Sequence, residues 1–219
     1  GLMVRWLGDG PHLKVTATPA LRLGAALAAL RQPGFRASAL GYWGHMWELY
    51  AFWTLVPFTV AALTSLGTAG VSGYSFAIIA AGAGGCFLGG ALGRRIGKAR
   101  TAGLALAVSG LACLAWPLLQ WLPWPVRLAI LVVWGVAVVA DSPQFSSLSA
   151  DYAPAEALGS ALAFQNAIGF AITTVAIALA MPLYAAIGPW VAWLLLPGPV
   201  LGLLGMRPLL TGTVAPAGR

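Results

Sequence analysis

Three ionisable residues lie deep inside long apolar segments of this chain. Between Ala37 and Pro208 the sequence contains six apolar runs, and His45, Glu48 and Asp141 lie well within them. Runs of about 20 residues are long enough to cross a bilayer as helices. Because a charge is expensive to place in hydrocarbon, membrane segments that keep such groups generally use them. This combination is typical of a helical membrane protein that moves a solute.

The composition excludes an ordinary soluble domain. The chain is 60% hydrophobic and 8% charged, with a mean hydropathy of +0.87. Soluble globular proteins average about 45–50% apolar and about 25% charged residues. This chain therefore lacks the polar surface that a soluble protein of its length needs, and we expect its principal surroundings to be the lipid bilayer.

The net charge of +7 raises the possibility of a nucleic-acid partner. The distribution of the basic residues argues against it. All of them except Arg127 fall within three ranges, 5–36, 94–100 and 207–219. In a six-span topology these ranges lie on the same side, as expected of cytoplasmic segments. We expect both termini to be cytoplasmic and the chain to have no nucleic-acid partner.

The predicted fold is an all-α membrane protein, a bundle of six transmembrane helices connected by short loops. Short loops place consecutive helices antiparallel to one another. Residues 1–36 are predicted to be a cytoplasmic loop segment with a short helix from Ala20 to Arg31, and residues 37–219 the bundle. Because residue 1 is glycine, we expect the chain to begin inside a longer protein. The predicted spans are 38–62, 71–92, 101–120, 126–148, 157–183 and 187–206.

The first predicted span has a polar face and a bulky face. Successive helical residues are about 100° apart. One face therefore combines small and polar residues and is expected to admit water or substrate: Gly41, Gly44, His45 and Glu48. The other suits lipid or a partner helix: Trp43, Met46, Tyr50 and Trp53. His45 and Glu48 are three residues apart, so their side chains can meet.

His45 and Glu48 are the predicted proton-coupling residues. Burial disfavours the charged form of a carboxyl group, a nearby cation favours it, and histidine titrates near neutral pH. In this hypothesis Glu48 gains and loses a proton as its exposure changes, and His45 tunes that exchange. Two alternatives stay open. The pair holds helices together as a satisfied polar contact, or it contacts substrate without proton coupling.

A substrate cavity is predicted between the first, fourth and fifth spans. At about 1.5 Å per residue, Glu48 and Asp141 lie about 3 Å and about 6 Å to the cytoplasmic side of their helix midpoints. The similar depth allows one shared cavity, although Asp141 could instead accept hydrogen bonds from backbone or loop groups. The predicted cavity wall consists of Asp141, Gln144, Gln165 and Asn166.

The sequence predicts neither a metal site nor an enzyme. His45 and Glu48 have a spacing that could bind a metal, but His12 is the other histidine and lies in the leader. Two or three ligands with no second histidine in the membrane make a poor metal site. Serines also lie close to Asp141, but the sequence pairs no membrane histidine with them. We expect no cofactor and no catalytic residue.

One loop resembles a known motif. The run from Gly90 to Lys98 resembles the G-x-L-a-D-R-x-G-R loop of the major facilitator superfamily, with Gly90, Arg95 and Gly97 at the conserved Gly-Arg-Gly positions and Arg94 at the acidic one. The runs 41–53, 141–145 and 164–170 look like a bacterial branch of that superfamily. The chain is similar to a C-terminal six-helix half of such a transporter over residues 35 to 206.

The resemblance implies a secondary active transporter of a small solute in a bacterial inner membrane. The first and fourth spans would line a central cavity, the loop motif would act in conformational change, and two six-helix halves would alternate access. One half cannot enclose such a pathway, so an N-terminal half, a second copy or a separate six-helix subunit would complete it. The alternative is a non-transporting six-helix assembly or regulatory module.

Overall fold

Apolar surroundings leave backbone N–H and C=O groups without water, and a helix satisfies them within one segment. The computed structural model describes residues 23–215, and within that range it is helical with no strand. Short 3₁₀ turns at Trp116–Leu119, Ala155–Ala157 and Gly188–Val191 connect some of the helices. The α-helices are α1 Leu23–Ala29, α2 Pro33–Leu63, α3 Thr68–Ile96, α4 Lys98–Ala115, α5 Trp124–Ala140, α6 Ser142–Tyr152, α7 Leu158–Ile187, α8 Ala192–Leu195, α9 Pro197–Gly205 and α10 Arg207–Leu210.

Five ranges of the described chain are long and apolar enough to cross a membrane, where the sequence predicts six. The first four correspond to the first four predicted spans. The fifth is a single range of 51 residues that includes both of the last two predicted spans. The ranges are Pro33–Leu63, Thr68–Ile96, Lys98–Leu119, Trp124–Tyr152 and Ala155–Gly205.

The first part of the fifth range runs parallel to α2. Near the start of α7, Trp43 Nε1 donates a hydrogen bond to the carbonyl of Gln165 at 3.0 Å. Near its end, the Tyr184 hydroxyl donates to the carbonyl of Phe58 at 3.0 Å. Residue numbers rise together along both helices, so α7 covers the bulky face of α2 as a partner helix.

The second part of the range runs in the opposite direction. Gly188 has a φ of 56°, a backbone conformation that favours glycine, and the chain reverses there. Trp47 Nε1 then donates to the carbonyl of Leu194 at 2.7 Å, while Gly205 lies against Leu40. This part is a series of short helical pieces instead of one helix. Its principal break lies just before Pro197, which lacks the N–H that a continuous helix uses.

A proline also divides the fourth predicted span, 126–148. α5 ends at Ala140 and α6 begins at Ser142, with Asp141 between them in a near-helical conformation. Pro143 has no N–H to offer the carbonyl of Val139, which accepts the N–H of Asp141 instead. The interruption leaves Asp141 at the joint between two helices.

The predicted leader and loop boundaries differ from the structure at two points. α1 begins at Leu23, inside the predicted helix, and residues 20–22 lie outside the described part of the chain. α2 begins at Pro33, so it extends into the segment predicted as leader. The predicted motif loop is almost entirely helical, because α3 continues to Ile96 and α4 starts at Lys98. Gly97, at a φ of 92°, connects them.

Glycines bring α3 and α5 into backbone contact. A Cβ atom placed on Gly85 would lie 2.4 Å from the carbonyl oxygen of Val136, and one on Gly89 would lie 2.3 Å from that of Ala140. These distances are too short for a real side chain, so only glycine permits the approach. The glycines of α3 therefore serve close packing against α5. Small residues at helix interfaces commonly have this role in membranes.

Replacing Gly85 with alanine should therefore destabilise the protein. The new methyl group meets backbone and must push α3 and α5 apart, which typically costs about 1–3 kcal/mol. Gly84→Ala is the matched control, since nothing lies within 4 Å of that position. It should be neutral or stabilising by about 0.5–1 kcal/mol. Thermal unfolding of both variants in detergent measures the difference, and equal melting temperatures would contradict the packing.

Candidate functional site

The three ionisable residues singled out from the sequence come together in the interior of the bundle. His45 and Glu48 lie on α2, and Asp141 lies at the joint between α5 and α6. Their exposed fractions are 2%, 1% and 1%. Groups of this kind are almost never fully buried unless they have polar partners. The contacts of each group therefore decide what the site can do.

Glu48 accepts hydrogen bonds from three donors on two other helices. From α4, Ser109 Oγ lies 2.9 Å from Oε2, and Cys113 Sγ lies 3.3 Å from Oε1. From α5, Trp134 Nε1 donates to Oε1 at 2.8 Å. In the described part of the chain no basic side chain forms an ion pair with this carboxyl group. Glu48 is thus held by hydrogen bonds and not by a countercharge.

His45 lies between Asp141 and Ser142. Its Nδ1 is 2.9 Å from Asp141 Oδ1, within ion-pair distance, but their relative orientation does not satisfy the geometry of a hydrogen bond. The contact is therefore electrostatic, and its strength depends on protonation of the imidazole. On the other side, His45 Nε2 and Ser142 Oγ are 3.0 Å apart, and the direction of that hydrogen bond follows the tautomer.

The structure gives His45 and Glu48 separate partners. The sequence allowed the two side chains to meet, but His45 points to the α5–α6 joint and Glu48 to α4 and α5. Asp141 reaches the same interior region as the two α2 residues, in agreement with the similar depth expected from the sequence. The groups form two adjoining polar clusters and not one His–Glu pair.

The polar face of α2 is filled by protein. A Cβ atom on Gly41 would lie 2.4 Å from the ring of Phe145, and one on Gly44 would lie 2.3 Å from the carbonyl oxygen of Gly198. The Phe145 ring also lies against the imidazole of His45, with centroids 6.0 Å apart. The expectation that these small residues admit water or substrate is therefore wrong for this conformation. They permit close packing of α6 and α9.

The predicted cavity-wall residues divide into two groups. Asp141 and Gln144 are buried near α2 and α3, with the Gln144 amide lying over Gly93. Gln165 is 2% exposed on α7, and its side-chain Oε1 has no hydrogen-bond partner among residues 23–215. Asn166, the next residue, is exposed. Gln165 and Asn166 therefore point in different directions, and only the first is directed into the protein.

The residues of the loop motif surround the joint between α3 and α4. Gly90 lies on α3, Arg94 and Arg95 are exposed in its last turn, and Gly97 forms the connection. Lys98, the first residue of α4, forms an ion pair with Asp151 in the last turns of α6. This contact ties the motif to the end of the helix that follows Asp141.

Sequence reasoning missed Ser109 and Cys113, and it did not pair Ser142 with His45. Ser109 and Cys113 are four residues apart, which places them on one helix face. That spacing was a usable signal, but neither residue type is rare in membrane helices. Their contact with Glu48 depends on how α2 and α4 are packed, which periodicity does not determine.

Comparison with protein-family models, with curated proteins and with solved structures finds no match for this chain.

Trp134→Phe should destabilise the protein by about 1–3 kcal/mol. The indole N–H is one of the three donors to a buried carboxyl group, and leaving an acceptor partly unsatisfied costs about that much. Trp121→Phe is the matched control because Trp121 is 77% exposed, and it should change stability by less than about 0.5 kcal/mol. Chemical or thermal unfolding compares the two. A control that is as destabilised as Trp134→Phe would show that the hydrogen bond is unimportant.

Proposed function

We propose that this chain is half of a secondary active transporter of the major facilitator type, which moves a small solute by alternating access in exchange or symport with protons. Glu48 is the group that gains and loses the proton. His45 and Asp141 form the adjoining ion pair that responds to it. Gln144 and Gln165 belong to the wall of the pathway, and Asn166 faces the second body. No cofactor and no metal take part.

The observation that carries the proposal is the burial of Glu48 with three donors and, among residues 23–215, no basic side chain within ion-pair distance. A structural carboxyl group inside a membrane bundle is usually paired with a cation, because an unpaired charge is costly there. Glu48 has neutral donors from two helices instead. A carboxyl group with this environment is able to be present as the acid, which is what proton coupling requires.

The arrangement of the helices supports the transport hypothesis over a purely structural bundle. The residues that bind one another come from α2, α4 and the α5–α6 pair, which are separate helices in the chain. A change in the charge of Glu48 therefore acts on the adjoining contact between His45 and Asp141, which connects α2 to the α5–α6 joint. Coupling of a local charge to movement between packed elements is the general basis of switching in proteins.

The proposal includes a membrane setting and a partner. The apolar ranges lie in a bacterial inner membrane with both termini in the cytoplasm, in accordance with the basic ranges on that side. A second six-helix body, either an N-terminal half or another subunit, completes the pathway. The exposed face of α3 and the exposed Asn166 give that body a surface to contact.

His45 contacts a serine on one side and an aspartate on the other, Ser142 and Asp141, as the histidine of a nucleophilic serine site does. An enzyme is therefore the alternative to consider. Such a site needs an aspartate that orients the imidazole through a hydrogen bond. Here Asp141 Oδ1 lies 2.9 Å from Nδ1, but the imidazole and the carboxylate are 2% and 1% exposed, so a substrate does not reach the histidine in this conformation. Transport remains the better-supported proposal.

Glu48→Gln tests the function directly. The amide keeps the size and the hydrogen-bonding ability of the acid but cannot exchange a proton. In membrane vesicles from cells that express the complete protein, a panel of small organic and inorganic solutes is screened for uptake driven by a pH gradient. Uptake of the solute found with the wild type should fall to the level of empty vesicles in Glu48→Gln, with unchanged membrane abundance.

Glu156→Gln is the matched control, because this acid is exposed and should tolerate the change without loss of uptake. Gradient-driven uptake that persists in Glu48→Gln would contradict the proton-coupling assignment. A wild type that moves none of the solutes in the panel would favour the non-transporting assembly or regulatory module.

A further inference from the structure

The hydroxyl group of Ser109 has two neighbours that accept hydrogen bonds. Its Oγ lies 2.9 Å from Glu48 Oε2 and 3.2 Å from the backbone carbonyl oxygen of Leu106. A serine hydroxyl carries one hydrogen, so it cannot donate to both at full strength. If Glu48 is ionised, Ser109 donates to Oε2 and leaves the Leu106 carbonyl to its helical partner.

Protonation of Glu48 on Oε2 resolves the competition. The acid then donates its own hydrogen to Ser109 Oγ, and the serine hydroxyl turns to donate to the Leu106 carbonyl. Oε1 keeps the donors Trp134 and Cys113 in both states. Every polar atom of the cluster has a partner before and after the proton arrives, and no heavy atom has to move.

We propose that Ser109 is the positioning residue for the proton of Glu48, a hydroxyl that reverses its hydrogen bond as the carboxyl group is protonated and released. The inference deepens the proposed function and rests on it, since it describes how the coupling carboxyl group holds its proton. One O–H bond forms on Oε2 when a hydronium ion in bulk water gives up its proton, and it breaks when the proton returns to bulk water, each in an exposed state of the proposed cycle. The serine O–H only rotates.

Because the cluster is buried, the reversal supplies a hydrogen-bond partner in both protonation states. Both Glu48 and Ser109 are 1% exposed. In this conformation bulk water therefore does not form hydrogen bonds with the carboxyl group in either charge state. The titratable groups that face Glu48 are Cys113 from α4, Asp141 from the α5–α6 joint and His45 from α2 itself. None of these three groups has a hydrogen bond to Oε2, whereas Ser109 has one, and a serine hydroxyl can either donate or accept.

Infrared difference spectroscopy of the complete protein in liposomes, recorded between acidic and alkaline pH, tests the inference without a known substrate. The carbonyl band of protonated Glu48 is identified by its disappearance in Glu48→Gln. In Ser109→Ala the acid loses the acceptor for its O–H, and the carbonyl band should move to higher wavenumber. Ser109→Thr, which restores a hydroxyl, should return the band toward its wild-type position.

Ser75→Ala is the matched control. Ser75 is also buried in an apolar helix and donates to a backbone carbonyl, that of Val71 at 2.7 Å, but it has no carboxyl neighbour. It should leave the Glu48 band unchanged. An identical shift in Ser75→Ala, or an unshifted band in Ser109→Ala, would overturn the inference. So would a wild type in which no protonated Glu48 band appears at any pH at which the protein stays folded.

Uptake measurements separate this inference from the proposed function. Where a transported solute is found, Ser109→Ala should lower gradient-driven uptake about tenfold, which corresponds to the loss of one hydrogen bond, and Ser109→Thr should recover most of it. If Glu48→Gln abolishes uptake while Ser109→Ala leaves the infrared band in place, the transporter assignment holds and the role of Ser109 does not.

Discussion

The arrangement of the interior depends on the hydrogen bonds that the Glu48 carboxyl group accepts. Its partners come from α4 and α5, so α2 must stand against both helices at the same depth. An unsatisfied polar group in an apolar interior costs several kcal/mol. Glycines allow the necessary approach elsewhere, since α2 meets α9 at Gly44 and α3 meets α5 at Gly85. The glycine contacts and the hydrogen bonds of Glu48 therefore both depend on the close approach of the helices.

The helix break at Pro143 positions the groups of the second polar cluster, which surrounds His45. A continuous helix would have used the Asp141 region for regular backbone hydrogen bonds, whereas the joint leaves Asp141 and Ser142 on either side of His45. The same joint leads into α6, whose far end is tied to the start of α4 by Lys98 and Asp151. Local charge at His45 is thereby connected to two helix junctions.

Much of the helical organisation follows from the sequence, because apolar runs of spanning length leave few alternatives. The parts that the sequence did not predict depend on contacts between segments. The spacing of His45 and Glu48 allowed the two side chains to meet. In the structure each side chain instead contacts residues of the helices packed on α2. The role of Ser109 does not follow from the sequence, because its contact with Glu48 depends on how α4 packs against α2. Likewise, Gly41 and Gly44 suggested an open face, and Phe145 and α9 fill it.

The two polar clusters differ in how many of their polar atoms have hydrogen-bond partners. This difference affects how easily each cluster rearranges. Both oxygens of Glu48 have well-oriented donors, whereas His45 Nδ1 and Asp141 Oδ1 are close but have no hydrogen bond. A fully satisfied group resists displacement, because its partners would all be lost together. A close, poorly oriented ion pair loses less when it rearranges. In the proposed cycle, Glu48 would then keep its neighbours while its charge changes, and the α5–α6 joint would be the element that moves.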